Sequence, residues 1–128
     1  MSFVFANCNK GLQKVNYKKP EKVALFFTKA IASLDIANAK RAATENTQEV
    51  LHLLEVLLES MPEEEKKRLI SEAQINMATL RKVKCETIDD VAKCRICCDQ
   101  EGLEEVEPLI LHKIGKQWLV EMKKANLE

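Results

Sequence analysis

The stretch PEKVALFFTKAIASLDIANAKRAAT, residues 20–44, carries the clearest helical pattern in the chain. Pro20 suits the first turn of a helix, where its missing N–H is not needed. Large apolar side chains recur at the spacing of one helix face, as at Val23, Phe27 and Ile31. Alanines occupy many of the remaining positions and favour helix. The stretch therefore predicts an amphipathic helix from residue 20 to about residue 44.

The next segment predicts a second helix over residues 47–60. Asn46 and Glu49 have the spacing of a capping box, in which two side chains satisfy the first free N–H groups of a helix. Seven apolar residues fall between positions 50 and 58, so the helix is apolar nearly all round. Such a helix is typical of a protein interior. We expect it to be the central, most buried helix, with His52 partly exposed or hydrogen-bonded.

Start and stop signals predict three further helices, at residues 63–83, 88–100 and 108–125. Gly115 lies inside the last of these and should weaken it. Only 3 Gly and 3 Pro occur in 128 residues, too few for the tight turns of a β fold. The predicted fold is all-α: a compact antiparallel bundle of about five helices in a single domain, residues 1–128. Residues 1–17 are expected to be irregular or to form a short docking segment.

Composition and hydropathy narrow the expected location. No apolar run approaches the length of about 20 residues that a membrane-spanning helix needs. The first residues do not have the pattern of a signal peptide. These features predict an intracellular, cytoplasmic protein, with the nucleus as an alternative. In that environment the five cysteines are expected to stay reduced.

Four of those cysteines lie close together in the sequence, at positions 85, 94, 97 and 98. Cysteine and histidine are preferred zinc ligands, and a tetrahedral site needs four of them. The predicted zinc ligands are Cys85, Cys94, Cys97 and His112. The cluster also fits buried cysteines that pack as small apolar side chains. A third interpretation, redox or nucleophilic chemistry, lacks the expected strand context and a nearby orienting group.

Two surfaces are predicted to meet a partner. Residues 1–45 contain eight basic and three acidic residues, a net charge of +5. Such a segment can contact nucleic acid. The candidate nucleic-acid ligands are Lys14, Lys18, Lys19 and Lys22. The candidate protein-binding residues are the aromatic side chains Phe3, Phe5 and Trp118, because exposed aromatic residues often anchor interfaces.

No arrangement of residues indicates catalysis. The chain has two histidines and no glycine-rich phosphate loop. We therefore expect a non-enzymatic helical protein-interaction module, of a regulatory, adaptor or assembly type, that binds another protein or itself. Two alternatives stay open: a nucleic-acid-associated protein that uses the basic N-terminal third, and a small regulatory domain supported by zinc. No other cofactor is expected.

Overall fold

The computed structural model describes residues 14–78, 82–97 and 108–122. Four helices come first in the chain: α1 (Pro20–Ala32), α2 (Ile36–Arg41), α3 (Glu45–Glu59) and α4 (Glu63–Ala78). Four strands follow: β1 (Lys82–Ile88), β2 (Val91–Cys97), β3 (Leu109–Ile114) and β4 (Gln117–Val120). Each strand pairs antiparallel with the next, in the order β1-β2-β3-β4. The fold is thus a mixed α/β arrangement.

The prediction of an all-α bundle is wrong, because the last third of the described chain forms a sheet. The predicted helices at 88–100 and 108–125 lie on β2, β3 and β4. Two tight turns allow these segments to form β-hairpins. Asp89 adopts a positive φ of 53° between β1 and β2, and Gly115 one of 66° between β3 and β4, as tight two-residue hairpins require. Gly115, interpreted above as a weak helix position, is a hairpin residue.

Strand alternation gives the sheet two distinct faces. We call the face that meets the helices the inner face. Its apolar residues are Val83, Cys85, Ala92, Cys94, Ile96, Leu109, Leu111, Trp118 and Val120, and Thr87 and Lys113 lie on the same face. Helix α1 packs across this face with Val23, Ala24, Phe27 and Ala30 buried. The opposite, outer face is mixed in character. It carries the apolar residues Ile88, Val91, Ile110, Ile114 and Leu119 with His112, and also Lys82, Lys84, Glu86, Lys93, Arg95, Cys97 and Gln117.

The long helix predicted over 20–44 is divided in two. Leu34 has a positive φ of 56°, which ends α1. The Asp35 carboxylate then accepts hydrogen bonds from the backbone N–H and the side-chain amide of Asn38, at 3.2 and 2.7 Å. Asp35 is thus the N-cap of α2, because a carboxylate satisfies N–H groups that have no partner at the start of a helix.

Two segments outside the sheet occupy the free edge of β4. Val120 donates its N–H to the Ala42 carbonyl at 2.8 Å and accepts from the Thr44 N–H at 2.9 Å. Nearer the β3–β4 hairpin, Trp118 donates its N–H to the Tyr17 carbonyl at 2.9 Å. These bonds satisfy backbone groups that would otherwise be unpaired. They also fix where α1 and α3 begin.

The two faces of β3 should differ in their effect on stability. Leu111 is fully buried on the inner face, whereas Ile114 is 53% exposed on the outer face. We expect Leu111→Ala to lower the free energy of unfolding by about 2–5 kcal/mol, because it leaves a cavity. Ile114→Ala should change it by about 0.5 kcal/mol. Urea denaturation of the two variants measures both effects, and equal losses would contradict the assignment of the faces.

Candidate protein-binding surface

Helix α3 is anchored at its first turn. The Thr44 hydroxyl is the N-cap and accepts the Thr47 N–H at 3.3 Å. The buried Thr47 hydroxyl accepts the backbone N–H of Met122 at 2.7 Å. Since Met122 follows β4 directly, these bonds tie the start of α3 to the end of the sheet. The anchor determines which side of α3 faces the core.

Only part of the apolar surface of α3 is buried. Val50, Leu51 and Leu58 face the core and are buried. Leu53, Val56 and Leu57 are exposed by 52, 49 and 64%. At about 100° per residue these three side chains share one side of the helix, next to the buried side. We call them the α3 exposed face. The prediction that this helix is the central, most buried one is wrong.

The polar side of α3 is held by an ion pair. Lys40 Nζ on α2 lies 2.8 Å from Glu55 Oε1, and His52 Nδ1 lies 3.5 Å from the same oxygen. The hydrogen bond from Lys40 is the main reason that the pKa of Glu55 lies below its ordinary value, with a smaller contribution from His52. His52 itself is exposed, as the sequence predicts in part. This ion pair links α2 to α3 away from the α3 exposed face.

Of the three aromatic residues predicted to bind a partner, the structure describes Trp118. Trp118 is only 6% exposed and belongs to the core, and Lys113 Nζ lies 6.0 Å from the centre of its ring. Phe3 and Phe5 lie outside the described residues. Helix α3, whose sequence predicts an interior position, thus presents an exposed apolar surface.

The four candidate nucleic-acid ligands, Lys14, Lys18, Lys19 and Lys22, are exposed around the start of α1. Tyr17, which lies between two of them, is half-buried and packs against the core. Its hydroxyl donates a hydrogen bond to the Arg41 carbonyl at 2.9 Å. The tyrosine ring is thus part of the packing between the N-terminal segment and α2.

The predicted zinc ligands do not converge. Cys85 and Cys94 are directly opposite each other on β1 and β2 and form a disulfide, so the prediction of reduced cysteines is wrong for this pair. His112 belongs to the outer face, whereas Cys94 belongs to the inner face. Cys97 ends β2 opposite Lys82, and Cys98 lies outside the described residues. Within the described ranges, no group of three or more candidate ligands surrounds a metal position.

Comparison with protein-family models, with curated proteins and with solved structures finds no match for this chain. No helix in the described part of the chain is long and apolar enough to cross a membrane.

The disulfide should make stability depend on redox state. We expect Cys85→Ala/Cys94→Ala to lower the free energy of unfolding by about 2–3 kcal/mol, because a bond that closes a short loop restricts the unfolded chain. The melting temperature should fall by roughly 5–15 °C. A reductant should lower the wild-type value similarly and leave the double variant unchanged. A wild-type melting temperature that ignores the reductant would contradict the disulfide.

The Lys40–Glu55 pair gives a test by pH. Since the pKa of Glu55 is lowered in the folded protein, the pair stabilises the fold above the unfolded-state pKa, and this contribution is lost as the pH falls. We expect Lys40→Gln to raise the pKa of Glu55 toward its ordinary value, measured by NMR titration of the carboxyl carbon. Lys67→Gln, on the exposed side of α4, is the matched control. A Glu55 pKa unchanged by Lys40→Gln would exclude the pair.

Proposed function

We propose that this protein is a non-enzymatic protein-interaction module that associates with a second copy of itself through the α3 exposed face. The supporting observation is the exposure of Leu53, Val56 and Leu57 on one side of a helix whose other apolar side is already buried. Scattered exposed apolar residues are normal, but a contiguous group often indicates a binding site.

The energetics favour covering this face. Each of the three side chains is about half exposed. Completing its burial would stabilise a complex by roughly 1 kcal/mol per residue, from the usual value for apolar side chains. Leu53 and Leu57 are one turn apart, so both can contact the same facing helix. An apolar helix face against another helix is a common mode of protein recognition.

Symmetry and charge favour a second copy in an antiparallel orientation. If the exposed faces of two antiparallel α3 helices meet with their crossing point at the level of residue 55 along the helix axis, Leu53 of one copy faces Leu57 of the other. Glu49 then faces the neutral residues Ser60 and Met61 of the second copy. A parallel pair would instead bring the two Glu49 carboxylates together, and such like-charge contacts oppose association. The antiparallel pair has twofold symmetry, which is the commonest symmetry of homodimers.

The two alternative functions have less support. The four exposed lysines around α1 are compatible with nucleic-acid contact, but the Tyr17 hydroxyl is engaged by Arg41 and its ring packs against the core. A zinc-supported domain would require Cys85 and Cys94 as thiolates, the form that binds metal. The redox state of Cys85 and Cys94 also depends on the compartment in which the protein is located. In the predicted cytoplasmic location they would be kept reduced, whereas the disulfide forms under oxidising conditions.

Sedimentation velocity over a range of concentrations tests the self-association. We expect the wild-type protein to form dimers and Leu53→Asp/Leu57→Asp to stay monomeric, because a carboxylate cannot be buried in the apolar contact without a partner. Loss of two half-buried leucines and addition of two charges should weaken dimerisation by at least about tenfold.

The matched control is Ser71→Asp/Gln117→Asp, which introduces the same two carboxylates at exposed polar positions outside α3. It should dimerise like the wild-type protein. Circular dichroism confirms that each variant is folded. A wild-type protein that is monomeric at every concentration, or a Leu53→Asp/Leu57→Asp variant that still dimerises, would contradict the proposal.

A further inference from the structure

The two edges of the sheet differ in their backbone hydrogen bonding. The edge of β4 is occupied, because Trp118 and Val120 bond to backbone groups of residues outside the sheet. The edge of β1, at the other end of the strand order, has no such bond within residues 14–78, 82–97 and 108–122. A strand edge of this kind presents a row of unpaired N–H and C=O groups, which can pair with another chain.

The register of β1 with β2 determines which backbone groups point outward. Cys85 and Cys94 form a pair without mutual backbone hydrogen bonds, as their Cα–Cα distance of 4.0 Å indicates. Hydrogen-bonded and non-hydrogen-bonded pairs alternate along an antiparallel ladder. The backbone N–H and C=O groups that point away from β2 therefore belong to Val83, Cys85 and Thr87. They lie at alternate residues, as the addition of a further strand requires.

The disulfide holds this edge in place. Cys85 lies in the middle of β1 and is joined to Cys94, which is buried in the core. The outward groups of β1 are therefore positioned before a partner arrives, which lowers the entropic cost of binding. The strand is also accessible toward its hairpin, since Glu86 and Thr87 are exposed and Ile88 is 73% exposed.

The side chains along β1 favour particular residues in an added strand. Lys84 is exposed and lies directly opposite Arg95 on β2, so that two like charges are adjacent. Arg95 Nη1 lies 3.5 Å from Glu86 Oε1, whereas Lys84 has no ion pair within the described part of the chain. A carboxylate opposite Lys84 in an added strand would form a favourable cross-strand pair. An aliphatic residue opposite Ile88 would cover its exposed side chain.

We propose that β1 binds an extended peptide segment of a partner protein, which adds to the sheet as an antiparallel strand. The segment carries an aliphatic residue opposite Ile88 and an acidic residue opposite Lys84. In strand addition, main-chain hydrogen bonds supply the affinity and alternate side chains supply the specificity. A second copy fits this edge less well, because the register that sets its Glu86 opposite Lys84 also sets its Lys82 opposite Ile88.

An NMR titration of the isotope-labelled, full-length chain tests the proposal. The probe is the peptide Ser-Val-Thr-Thr-Thr-Glu-Thr-Ser, whose valine and glutamate are placed to lie opposite Ile88 and Lys84. We expect the amide signals of Val83, Cys85 and Thr87 to shift most, because their N–H groups point toward the peptide. The same peptide with lysine in place of glutamate should bind about tenfold more weakly, and Lys84→Glu should reverse this preference.

Two substitutions at Thr87 separate backbone pairing from side-chain contacts. Thr87→Pro removes an outward N–H and keeps the bonds between β1 and β2, since an edge strand tolerates proline where the N–H faces solvent. It should weaken peptide binding by about tenfold or more, because one hydrogen bond to the added strand is lost. Thr87→Val keeps the N–H and should bind the peptide like the wild-type protein.

The matched control for charge is Lys67→Glu at an exposed position on α4, which should leave the preference for the glutamate peptide unchanged. Equal melting temperatures show that the variants are folded. The proposal would be overturned by the absence of shifts at the β1 edge with millimolar peptide, or by equal binding of the glutamate and lysine peptides. Shifts of the same edge amides on concentrating the protein alone would also overturn it, because a second copy would then occupy the edge.

This inference does not depend on self-association through α3, which is a different element. Leu53→Asp/Leu57→Asp should bind the peptide like the wild-type protein, because neither leucine lies on β1. A failure of peptide binding and a failure of dimerisation through α3 are therefore distinguishable.

Discussion

The packing of α1 against one face of a four-stranded antiparallel sheet is the contact on which the rest of the structure depends. Phe27 and Leu111 belong to the same buried cluster, and Cys94 and Val120 extend that cluster across the strands. Because side chains alternate along a strand, committing one set of residues to this contact sends the other set to the outer face. The outer face is therefore a consequence of how the core is built.

Hydrogen bonds at the edge of β4 connect the sheet to α3. The bonds of Val120 with Ala42 and Thr44 align the end of α2 with the last strand. Thr47 then receives the Met122 N–H and holds the first turn of α3. A helix fixed in this way has one side toward the core, and its remaining apolar side has to face solvent or a partner. The α3 exposed face thus follows from the sheet contact through a short series of hydrogen bonds.

The helical half of the fold was predictable from local pattern. Pro20 begins α1 as predicted, and α3 ends within one residue of its predicted end, although Thr44 rather than Asn46 is its cap. The strands were not predictable in the same way. Ile88, Val91 and Cys94 follow helical spacing, while Ala92, Cys94 and Ile96 follow strand spacing in the same segment. Local periodicity cannot choose between them, and contacts with the distant helix α1 decide.

The candidate binding site, like the strands, could not be predicted from the local sequence pattern alone. The apolar character of α3 on all sides was evident from the sequence, but apolar residues alone do not distinguish an interior helix from one that presents a binding face. That distinction depends on the anchor between Thr47 and Met122, which are 75 residues apart. The disulfide likewise depends on the register that sets Cys85 opposite Cys94, which the spacing of nine residues did not reveal.

A two-dimensional NOESY spectrum of the uniformly labelled protein tests the sheet most directly. The short Cα–Cα distance of 4.0 Å between Cys85 and Cys94 indicates a pair without mutual backbone hydrogen bonds. Two residues away on either side, the pairs Val83–Ile96 and Thr87–Ala92 are of the same kind. We expect strong Hα–Hα cross-peaks for both pairs. Continuous sequential amide–amide cross-peaks through residues 91–97 and 109–120, as in a helix, would contradict the sheet and the two faces derived from it.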